Sequence, residues 1–394
     1  MTSAAADNRL SRIGVVGGGQ LARMLVDASR QRNVEVIVQT PSLADPAAQI
    51  AADVIEADPV DADATQALLK RCSSITFENE WVSIEALTAL ERKGARFRPS
   101  LASLKPLVNK LHQRQLLDRL SIPSPDWVEL ISIDPGAPSL PKGWSFPVMA
   151  KAVTGGYDGR GTRVLKTIDC LAELLRSVDP DDWILEAWVD YESELALVVS
   201  RDQSGRVRAL PLAQTHQSNQ VCDWVFAPAD VEQLVEATAY NIAASLLTTL
   251  DYVGVMAIEM FYGSKGLLVN EIAPRTHNSG HFSIEACHSS QFDQQLCIAA
   301  GLDIPDPVLK VPGALMVNLL GLPADQATSL DQRLSALRAE PSLNLHWYDK
   351  QGESPGRKLG HVTVVLDGED ASSRWRQAMD AVQRVRSIWP LPLN

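Results

Sequence analysis

Two apolar segments that lie close together in the chain each carry one glutamate, and their pairing limits the possible folds more than any other feature of the sequence. Residues 255–262 and residues 267–272 have strand-like composition, and the turn sequence Gly-Ser-Lys-Gly joins them. A hairpin centred near Lys265 places Glu259 directly opposite Glu271, with the two side chains roughly 5 Å apart. Like charges that face each other across a ladder destabilise it unless a cation neutralises them.

A hard dication is a natural partner for such a pair of carboxylates. Two glutamates beside the carbonyl of Asn270 suit a Mg²⁺ ion that holds nucleotide phosphates. A solvated hairpin whose two glutamates never meet is the alternative. After the hairpin, Pro274 takes the chain out of the sheet and into a polar segment that contains Arg275 and His277.

Size and composition narrow the class of protein. The chain has 394 residues, enough for two or three domains, and its 45% apolar content is typical of an α/β protein. A net charge of −12 argues against a broad surface for nucleic acid or for an anionic membrane, and no apolar run approaches a membrane-spanning length. The five cysteines form no CxxC pair and no zinc spacing, which favours reduced thiols and a cytoplasmic location.

A strand, a glycine-rich turn and an amphipathic helix are predicted at the start of the chain. Residues 12–16 form the strand, Gly17 to Gly19 form the turn, and apolar residues then recur at i, i+3, i+4 and i+7 from Leu21. Backbone N–H groups at the N-terminus of such a helix can hold an anion. A tight turn with a purely structural role is the alternative.

The same turn also fits the dinucleotide-binding fingerprint, because Gly17, Gly19 and Ala22 have the required spacing. That interpretation needs an acid at the end of the second strand to hold the ribose hydroxyls. The second strand, residues 34–38, is followed by Gln-Thr-Pro instead. The sequence therefore disfavours an NAD-dependent enzyme.

Strands and helices alternate up to about residue 103, which predicts a small parallel sheet covered by helices. Glu78 and Glu80 lie in the loop after a strand over residues 74–77. Loops at the carboxyl ends of parallel strands form the usual ligand-binding edge, so one of these acids is expected to face a ligand. A solvated loop acid is the alternative.

A second glycine-rich segment follows a strand that ends at Lys151. Residues 155–161 contain four glycines, more than a hairpin turn requires, and they predict a mobile loop that closes over phosphates above Lys151. The loop can present only Tyr157, Asp158 and Arg160 to a substrate. It is not a Walker loop, because GxxxxGK(S/T) occurs nowhere in the chain. A long flexible hairpin is the alternative.

The last part of the chain, from about residue 306, contains two predicted strands and a final helix. Between them, Lys350, Arg357 and Lys358 flank a turn rich in glycine and proline. These cations form a plausible phosphate clamp. A charged surface loop is the alternative.

Taken in order, these features resemble the ATP-grasp enzymes, and within that superfamily the N5-carboxyaminoimidazole ribonucleotide synthetases. The segments that carry the resemblance are residues 17–25, 154–161, 252–257, 270–281 and 346–361. The last two are specific to this family rather than to the superfamily.

The resemblance implies an α/β and α+β architecture with three parts. An N-terminal Rossmann-like, pre-ATP-grasp domain would cover residues 1–103. An ATP-grasp domain would cover residues 104–305, with a lid subdomain at about 120–190. A small C-terminal domain, residues 306–394, would complete the substrate site.

The resemblance also implies a reaction. ATP and bicarbonate would carboxylate the exocyclic amine of 5-aminoimidazole ribonucleotide by way of carboxyphosphate, with release of ADP and phosphate, in purine biosynthesis. The alternatives are another ATP-grasp ligase, such as a glycinamide ribonucleotide formyltransferase, and a nucleotide-binding regulator without catalysis. A homodimer is implied as well, and a separate mutase would use the product, because no carboxylase domain follows residue 394.

Roles for individual residues follow from the resemblance. Expected ATP contacts are Lys110, Lys151, Gly156, Gly159, Gly161, Glu186, Ala187, Trp188, Val189, Glu194, His216 and Asn270. Expected Mg²⁺ ligands are Glu259 and Glu271. Expected catalytic residues are Asp158, Arg160, Arg275 and His277. Expected substrate contacts are Gln20, Glu78, Glu80, Tyr157, Lys350 and Arg357, although the sequence leaves open which of the two glutamates faces the ribonucleotide.

Two departures from the family pattern stand out. Lys110 lies where relatives often have Arg, which keeps the charge and loses the forked donor. Residues 214–224 retain His216 but lack the usual Asn-x-His and Gly, which puts the local loop geometry in doubt.

Overall fold

The computed structural model describes residues 11–156, 161–323 and 328–392. Its strands, in chain order, are β1 (Ser11–Val16), β2 (Val34–Thr40), β3 (Asp53–Glu56), β4 (Ser74–Phe77), β5 (Trp127–Glu129), β6 (Val148–Ala152), β7 (Thr162–Leu165), β8 (Trp183–Ala187), β9 (Ser193–Arg201), β10 (Val207–Ala209), β11 (Ala213–Ser218), β12 (Val221–Ala227), β13 (Gly254–Gly263), β14 (Gly266–Ala273), β15 (Gly313–Leu320), β16 (Asn344–Trp347) and β17 (Lys358–Leu366). Its helices are α1 (Gln20–Ser29), α2 (Ala62–Leu69), α3 (Ile84–Glu91), α4 (Leu101–Leu104), α5 (Lys110–Arg119), α6 (Ile168–Ser177), α7 (Gln233–Thr249), α8 (Ser283–Ala286), α9 (Gln291–Ala300), α10 (Leu330–Ala339) and α11 (Ala371–Ile388).

The first sheet is parallel and has the order β3-β2-β1-β4, as the alternation of strands and helices predicts. Helix α1 packs between this sheet and α9, because Met24 and Leu25 share a buried apolar cluster with Phe292 and Leu296. The N-terminal sheet is therefore fixed against the central part of the protein.

The second sheet is antiparallel, has the order β5-β8-β6-β7, and lies within the range predicted for the lid. Helix α6 covers one of its faces, where Leu171 and Leu174 pack against Val148 and Leu185. The sheet also contributes residues to the wall of the site described below.

The central sheet has the order β14-β13-β9-β11-β12-β15-β17-β16, and β10 also pairs with β9. Strands β15 to β17 come from the predicted C-terminal domain, yet they continue this sheet instead of forming one of their own. Antiparallel pairing of β12 with β15, from Trp224–Val317 to Ala227–Ala314, makes the junction. This pairing covers the edge of β12, which would otherwise be exposed as a template for pairing with another chain.

Two further findings concern the described part of the chain. None of its helices combines the length and the apolar character needed to cross a bilayer. All five cysteines are free thiols, in agreement with their scattered spacing.

Candidate active site

A cavity of about 440 Å³ lies between the lid sheet and the central sheet. The residues predicted as site residues that line its wall are Glu80, Lys151, Gly156, Glu186, Ala187, Trp188, Val189, Glu194, Glu259, Asn270, Glu271, Arg275 and His277. They come from all three sheets or from the loops that leave them. The fold therefore brings together residues that are far apart in the sequence.

Glu259 and Glu271 lie directly opposite each other on β13 and β14, as the hairpin pattern predicts. The turn by itself does not produce this pairing, because it pairs Gly263 with Gly266. A regular ladder continued from that turn would place Glu259 opposite Asn270. One extra residue in β14 is needed to bring the second glutamate into register.

A β-bulge in β14 supplies that residue. The bulge lies between the pairs Met260–Val269 and Glu259–Glu271, where Asn270 is the additional residue. Asn270 and Glu271 both line the cavity, although adjacent side chains of a regular strand point to opposite faces. The bulge therefore turns both polar side chains toward the cavity.

The two glutamates have different electrostatic surroundings. Burial raises the pKa of Glu271, but the nearby cations outweigh burial and bring the pKa to about 2; chief among them is Lys110, whose Nζ donates to Glu271 Oε1 at 2.5 Å. At Glu259, burial and the charges of Glu271 and Glu194 act together and raise the pKa to about 7. Glu271 is therefore charged at neutral pH, whereas Glu259 needs a further cation nearby to lose its proton readily.

Glu186 is buried, and two cations share its carboxylate. Arg114 Nε donates to Oε1 at 2.7 Å and Lys151 Nζ pairs with Oε2 at 2.8 Å. Burial raises the pKa of Glu186, but the two cations outweigh it and lower the pKa below its ordinary value. The side chain of Glu186 is therefore engaged inside the protein, where it positions Lys151.

Lys151 also reaches the bulge, because its Nζ donates to Asn270 Oδ1 at 2.9 Å. Burial lowers the pKa of Lys151, and the carboxylate of Glu186 opposes that shift. A buried ammonium with one carboxylate partner at the cavity wall suits a phosphate group.

The polar segment after Pro274 contributes a second cation and a histidine. Arg275 Nε donates to Glu80 Oε2 at 2.6 Å. His277 Nε2 lies 3.6 Å from Glu259 Oε1. Gln291 fixes this segment, because its side chain accepts from His277 N at 2.8 Å and donates to His277 O at 2.7 Å.

Glu78 occupies the N-terminus of α1. Burial raises its pKa, and the side-chain amide of Asn79, which donates to Glu78 Oε2 at 3.1 Å, and the backbone N–H of Leu21 oppose that shift. A Cβ at Gly17 would lie 2.6 Å from Glu78 Cβ, and a Cβ at Gly19 would lie 2.4 Å from Glu78 Oε1. A carboxyl group of the protein therefore lies against this turn, where an external anion was expected, and the glycines allow its close approach.

Of the two loop glutamates, Glu80 lines the cavity and Glu78 is not among the described residues that do so. Gln20 is the first residue of α1 and likewise is not among the described lining residues. Lys110 reaches the site only through its bond to Glu271. Gly161 follows the glycine-rich loop and has a φ of 76°, a conformation that favours glycine.

Of the three cations of the predicted phosphate clamp, Lys358 lines the cavity, and Lys350 and Arg357 are not among the described lining residues. Lys350 Nζ donates to the carbonyl of Lys358 at 2.7 Å. Arg357 Nη1 donates to the backbone carbonyls of Gln351 and Gly352. These contacts stabilise the turn itself.

His216 is not among the described residues that line the cavity. Its ring stacks on Trp224 at a centroid distance of 5.0 Å, and its Nδ1 lies 3.2 Å from Asp223 Oδ2. The neighbouring Gln217 lines the cavity, and the pairing of β11 with β12 changes register between these two residues. The structure therefore does not bring His216 to the other predicted ATP contacts.

Tyr157, Asp158, Gly159 and Arg160 lie outside the described residues. Several lining residues, in turn, were not singled out as site residues from the sequence: Pro125, Met149, Thr162, Val164, Tyr191, Gln217, Gln220, Cys222, Phe261 and Ala273. Phe261 could have been found, because it follows Glu259 by two positions and strand side chains alternate. Tyr191, which stacks on Phe261 at 4.6 Å, carries no such signal.

Three family models match successive parts of the chain. They are a ribonucleotide synthetase preATP-grasp domain over residues 10–106, an ATP-grasp domain over residues 115–292, and a phosphoribosylaminoimidazole carboxylase C-terminal domain over residues 314–374. They follow one another in the order implied by the sequence resemblance.

Individual proteins match over nearly the whole length. The N5-carboxyaminoimidazole ribonucleotide synthase of Synechococcus elongatus is 45% identical over 99% of this chain and 98% of its own, and that of Synechocystis sp. is 39% identical over 97% and 99%. The structure of N5-carboxyaminoimidazole synthase from Aspergillus clavatus in complex with ADP and 5-aminoimidazole ribonucleotide has a TM-score of 0.82 and 29% identity, and covers 95% of this chain and 99% of that one. The synthetase from Thermotoga maritima has a TM-score of 0.82 and 32% identity, with coverage of 96% and 98%. From this similarity along its full length and from the cavity that its sheets enclose, the chain belongs to the N5-carboxyaminoimidazole ribonucleotide synthase family of ATP-grasp proteins.

Proposed function

We propose that the cavity between the lid sheet and the central sheet is where this chain performs the reaction of its family. As a member of that family, it is an ATP-dependent ligase that carboxylates 5-aminoimidazole ribonucleotide to N5-carboxyaminoimidazole ribonucleotide in purine biosynthesis. The observation that carries the assignment to this cavity is the meeting of Lys151, Glu259 and Glu271 with Arg275 and His277 on one wall. Lys151 suits nucleotide phosphates, the two glutamates suit a Mg²⁺ ion that accompanies those phosphates, and Arg275 and His277 belong to the segment specific to this family.

The chemistry explains why such a site is needed. Bicarbonate is a poor electrophile, and its hydroxide is a poor leaving group. Transfer of the γ-phosphoryl group of ATP to bicarbonate gives carboxyphosphate, whose phosphate departs readily. The exocyclic amine of the ribonucleotide then forms the new C–N bond and loses a proton. The protein contributes mainly position, charge neutralisation and exclusion of water.

The adenine end of ATP fits the apolar part of the cavity. Met149 and Val164 from the lid sheet and Phe261 from the central sheet contribute apolar side chains to its wall. The backbone of residues 187–189, which leaves β8 at the wall, supplies hydrogen-bonding groups for a base. Lys151 lies beyond it and suits the phosphates, since its ammonium is buried and already positioned by Glu186.

The residues also fit a Mg²⁺ ion. Two facing carboxylates, of which Glu259 has a raised pKa of about 7, form a site that gains from a cation. No group of three or more His, Cys, Asp or Glu side chains with metal-binding geometry occurs among the described residues. This fits Mg²⁺, which usually takes one or two protein carboxylates and completes its shell with phosphates and water. When bound, the ion would neutralise phosphate charge between Glu259 and Glu271.

The ribonucleotide is assigned to the Arg275 end of the cavity. Arg275 and Glu80 form a pair at 2.6 Å that can present both a cation and an acceptor to a polar substrate. His277 follows Arg275 by two positions and lies 3.6 Å from Glu259, so it is assigned to the region where the two substrates would meet. By the family resemblance, Asp158 would hold the exocyclic amine and Arg160 the bicarbonate, and Lys350 with Arg357 would hold the 5′-phosphate after closure.

The assignment is tested by ADP release with Mg-ATP and bicarbonate, with and without 5-aminoimidazole ribonucleotide. We expect release to depend strongly on both bicarbonate and the ribonucleotide. ADP release that ignores the ribonucleotide would point to a different acceptor. The variant Asp158→Ala should lose carboxylation while it still binds ATP, and retained synthesis would remove the proposed amine contact.

Three further proposals follow from the resemblance. A homodimer is tested by light scattering on the purified chain, where a monomeric mass would refute it. Transfer of the product to a separate mutase is tested by a coupled assay with such an enzyme. The five free thiols support a cytoplasmic location, which fractionation of cells would test.

A further inference from the structure

Helix α5 covers the open edge of the central sheet at β14 with polar side chains. Gln113 imitates a neighbouring strand there, because its Oε1 accepts from Ile272 N at 3.0 Å and its Nε2 donates to Ile272 O at 2.9 Å. Lys110, three positions earlier, holds the carboxylate of Glu271. Side chains three and four positions apart share one face of a helix, so Arg114 belongs to the same face.

Arg114 binds the bulge itself. Its Nη1 donates to the carbonyl of Val269 at 3.0 Å, and its Nη2 donates to the carbonyl of Asn270 at 2.7 Å. In a regular strand, successive carbonyls point to opposite sides, so one of these two would face β13. Here both point outward and require two donors on the same side. The guanidinium fork supplies them from one side chain.

The same guanidinium is itself fixed. Arg114 is buried, and its Nε donates to Glu186 at 2.7 Å. Glu186 also binds Lys151, and Lys151 binds the side chain of Asn270. Asn270 is therefore held at its backbone by Arg114 and at its side chain by Lys151, within one closed ring of contacts.

We propose that Arg114 is a positioning residue for the divalent-cation site: it stabilises the β14 bulge that places Glu271 opposite Glu259. The inference rests on the proposed function of these two glutamates as metal ligands. Without Arg114, two adjacent carbonyls lose their donors, and the strand can regain regular pairing by shifting one residue. That shift would place Glu259 opposite Asn270 and turn Glu271 away from the cavity.

The test compares Arg114→Met with the matched control Arg119→Met, an exposed arginine on the same helix. Mn²⁺ replaces Mg²⁺ as the probe, and its binding in the presence of ADP is followed by the electron paramagnetic resonance signal of the free ion. We expect Arg114→Met to weaken Mn²⁺ binding about 10- to 100-fold, as loss of a residue that orients metal ligands does. Arg119→Met should bind like the wild type. ADP binding in EDTA should change far less than Mn²⁺ binding.

A second variant separates the bulge from simple charge balance. Arg114→Met also leaves Glu186 with one cation fewer, and the double variant Arg114→Met with Glu186→Gln removes that imbalance. We expect the double variant to keep the weak Mn²⁺ binding, because the bulge still lacks its donors. Recovery of the metal affinity would overturn the proposal, and so would unchanged affinity in a folded Arg114→Met protein.

Two remaining outcomes are also decisive. If Arg114→Met does not fold, Arg114→Lys keeps the charge without the fork, and it should weaken Mn²⁺ binding at unchanged secondary structure; wild-type affinity would overturn the proposal. The variant Glu271→Gln tests the metal site itself. If Glu271→Gln binds Mn²⁺ like the wild type, the assignment of the metal ligands is wrong. If Glu271→Gln loses Mn²⁺ binding and the Arg114 variants keep it, the metal ligands are assigned correctly and only the role proposed for Arg114 is wrong.

Discussion

Lys110 and Glu271 form an ion pair at 2.5 Å that joins α5 to β14. The ammonium lies beside the carboxylate that faces Glu259, and it makes the two glutamates unequal. The pKa of Glu271 is about 2 and that of Glu259 is about 7. A pair arranged in this way has one carboxylate that is always charged and a second that becomes charged when another cation arrives.

The first prediction concerns this lysine. Replacement of Lys110 by Met removes a charge-assisted hydrogen bond worth roughly 1.5 kcal/mol and a cation near the phosphate site, so we expect the KM for ATP to rise about tenfold at saturating Mg²⁺. Steady-state kinetics measure this effect. Lys110→Arg is the control, because it keeps the charge. A wild-type KM in the Met variant would mean that Lys110 serves the hairpin and not the nucleotide.

The second prediction is a pH dependence of stability. The folded-state pKa of Glu259, about 7, exceeds its ordinary value of 4.5, so the metal-free fold loses stability as pH rises from about 4.5 to 7 and stays less stable above 7. Glu259→Gln removes this loss. In EDTA, its Tm should exceed that of the wild type at pH 8, and the difference should vanish near pH 4.5.

Thermal unfolding over a pH series measures that difference. Glu369→Gln, at an exposed glutamate distant from the cavity, serves as the control and should follow the wild type throughout. A Tm difference between Glu259→Gln and the wild type that is equal at every pH would show that ionisation of the buried Glu259 carboxyl group is not the cause.

The third prediction separates backbone strain from close contact at two glycines. Gly17 and Gly94 both have positive φ, 112° and 98°. A Cβ at Gly17 would lie 2.6 Å from Glu78 Cβ, whereas a Cβ at Gly94 would meet nothing within 4 Å. Substitution by Ala should cost about 1 kcal/mol of strain at both sites, and a further 1 to 3 kcal/mol, roughly, at Gly17 from overpacking.

Thermal unfolding of the two variants measures this difference. We expect a clearly lower Tm for Gly17→Ala than for Gly94→Ala. Equal Tm values would mean that Glu78 moves away from the turn without cost, and its contact with the turn would then have no structural importance.

The fourth prediction distinguishes the two loop glutamates. Glu80→Gln takes from Arg275 its carboxylate partner at 2.6 Å, so the KM for the ribonucleotide should rise about tenfold while the KM for ATP changes little. Glu78→Gln should act mainly on the Tm, since Glu78 stabilises the N-terminus of α1. Kinetics with each substrate varied in turn measure both effects. The reverse pattern would assign the ribonucleotide contact to Glu78.

Local patterns made much of this architecture predictable. The parallel N-terminal sheet followed from alternating strands and helices, and the pairing of Glu259 with Glu271 followed from two strands and a turn. The pairing was predicted from a turn centred near Lys265, however, and in the structure it depends on the bulge at Asn270. A bulge leaves no reliable sequence signal, because the donors that stabilise it lie on another element.

Other features depend on contacts that no local pattern encodes. Glu78 and Glu80 are two residues apart, yet their side chains have different partners. Glu78 packs against the Gly17–Gly19 turn at the start of α1, whereas Glu80 pairs with Arg275 at the cavity. His216 was expected beside ATP, and it instead stacks on Trp224, the residue directly opposite it on β12. Each outcome is decided by a partner more than six positions away.

The sequence by itself determined the family, the order of the domains, and the residue types that the chemistry requires. These properties reside in short segments whose spacing and composition are local. Only the tertiary structure decided which of those residues share a wall of the cavity, which are engaged in the interior, and that Arg114 supports the bulge at the metal ligands. The physical reason is that burial and ion pairing depend on distances in space, and helix α5 comes within hydrogen-bonding distance of strand β14 only once the sheet has formed.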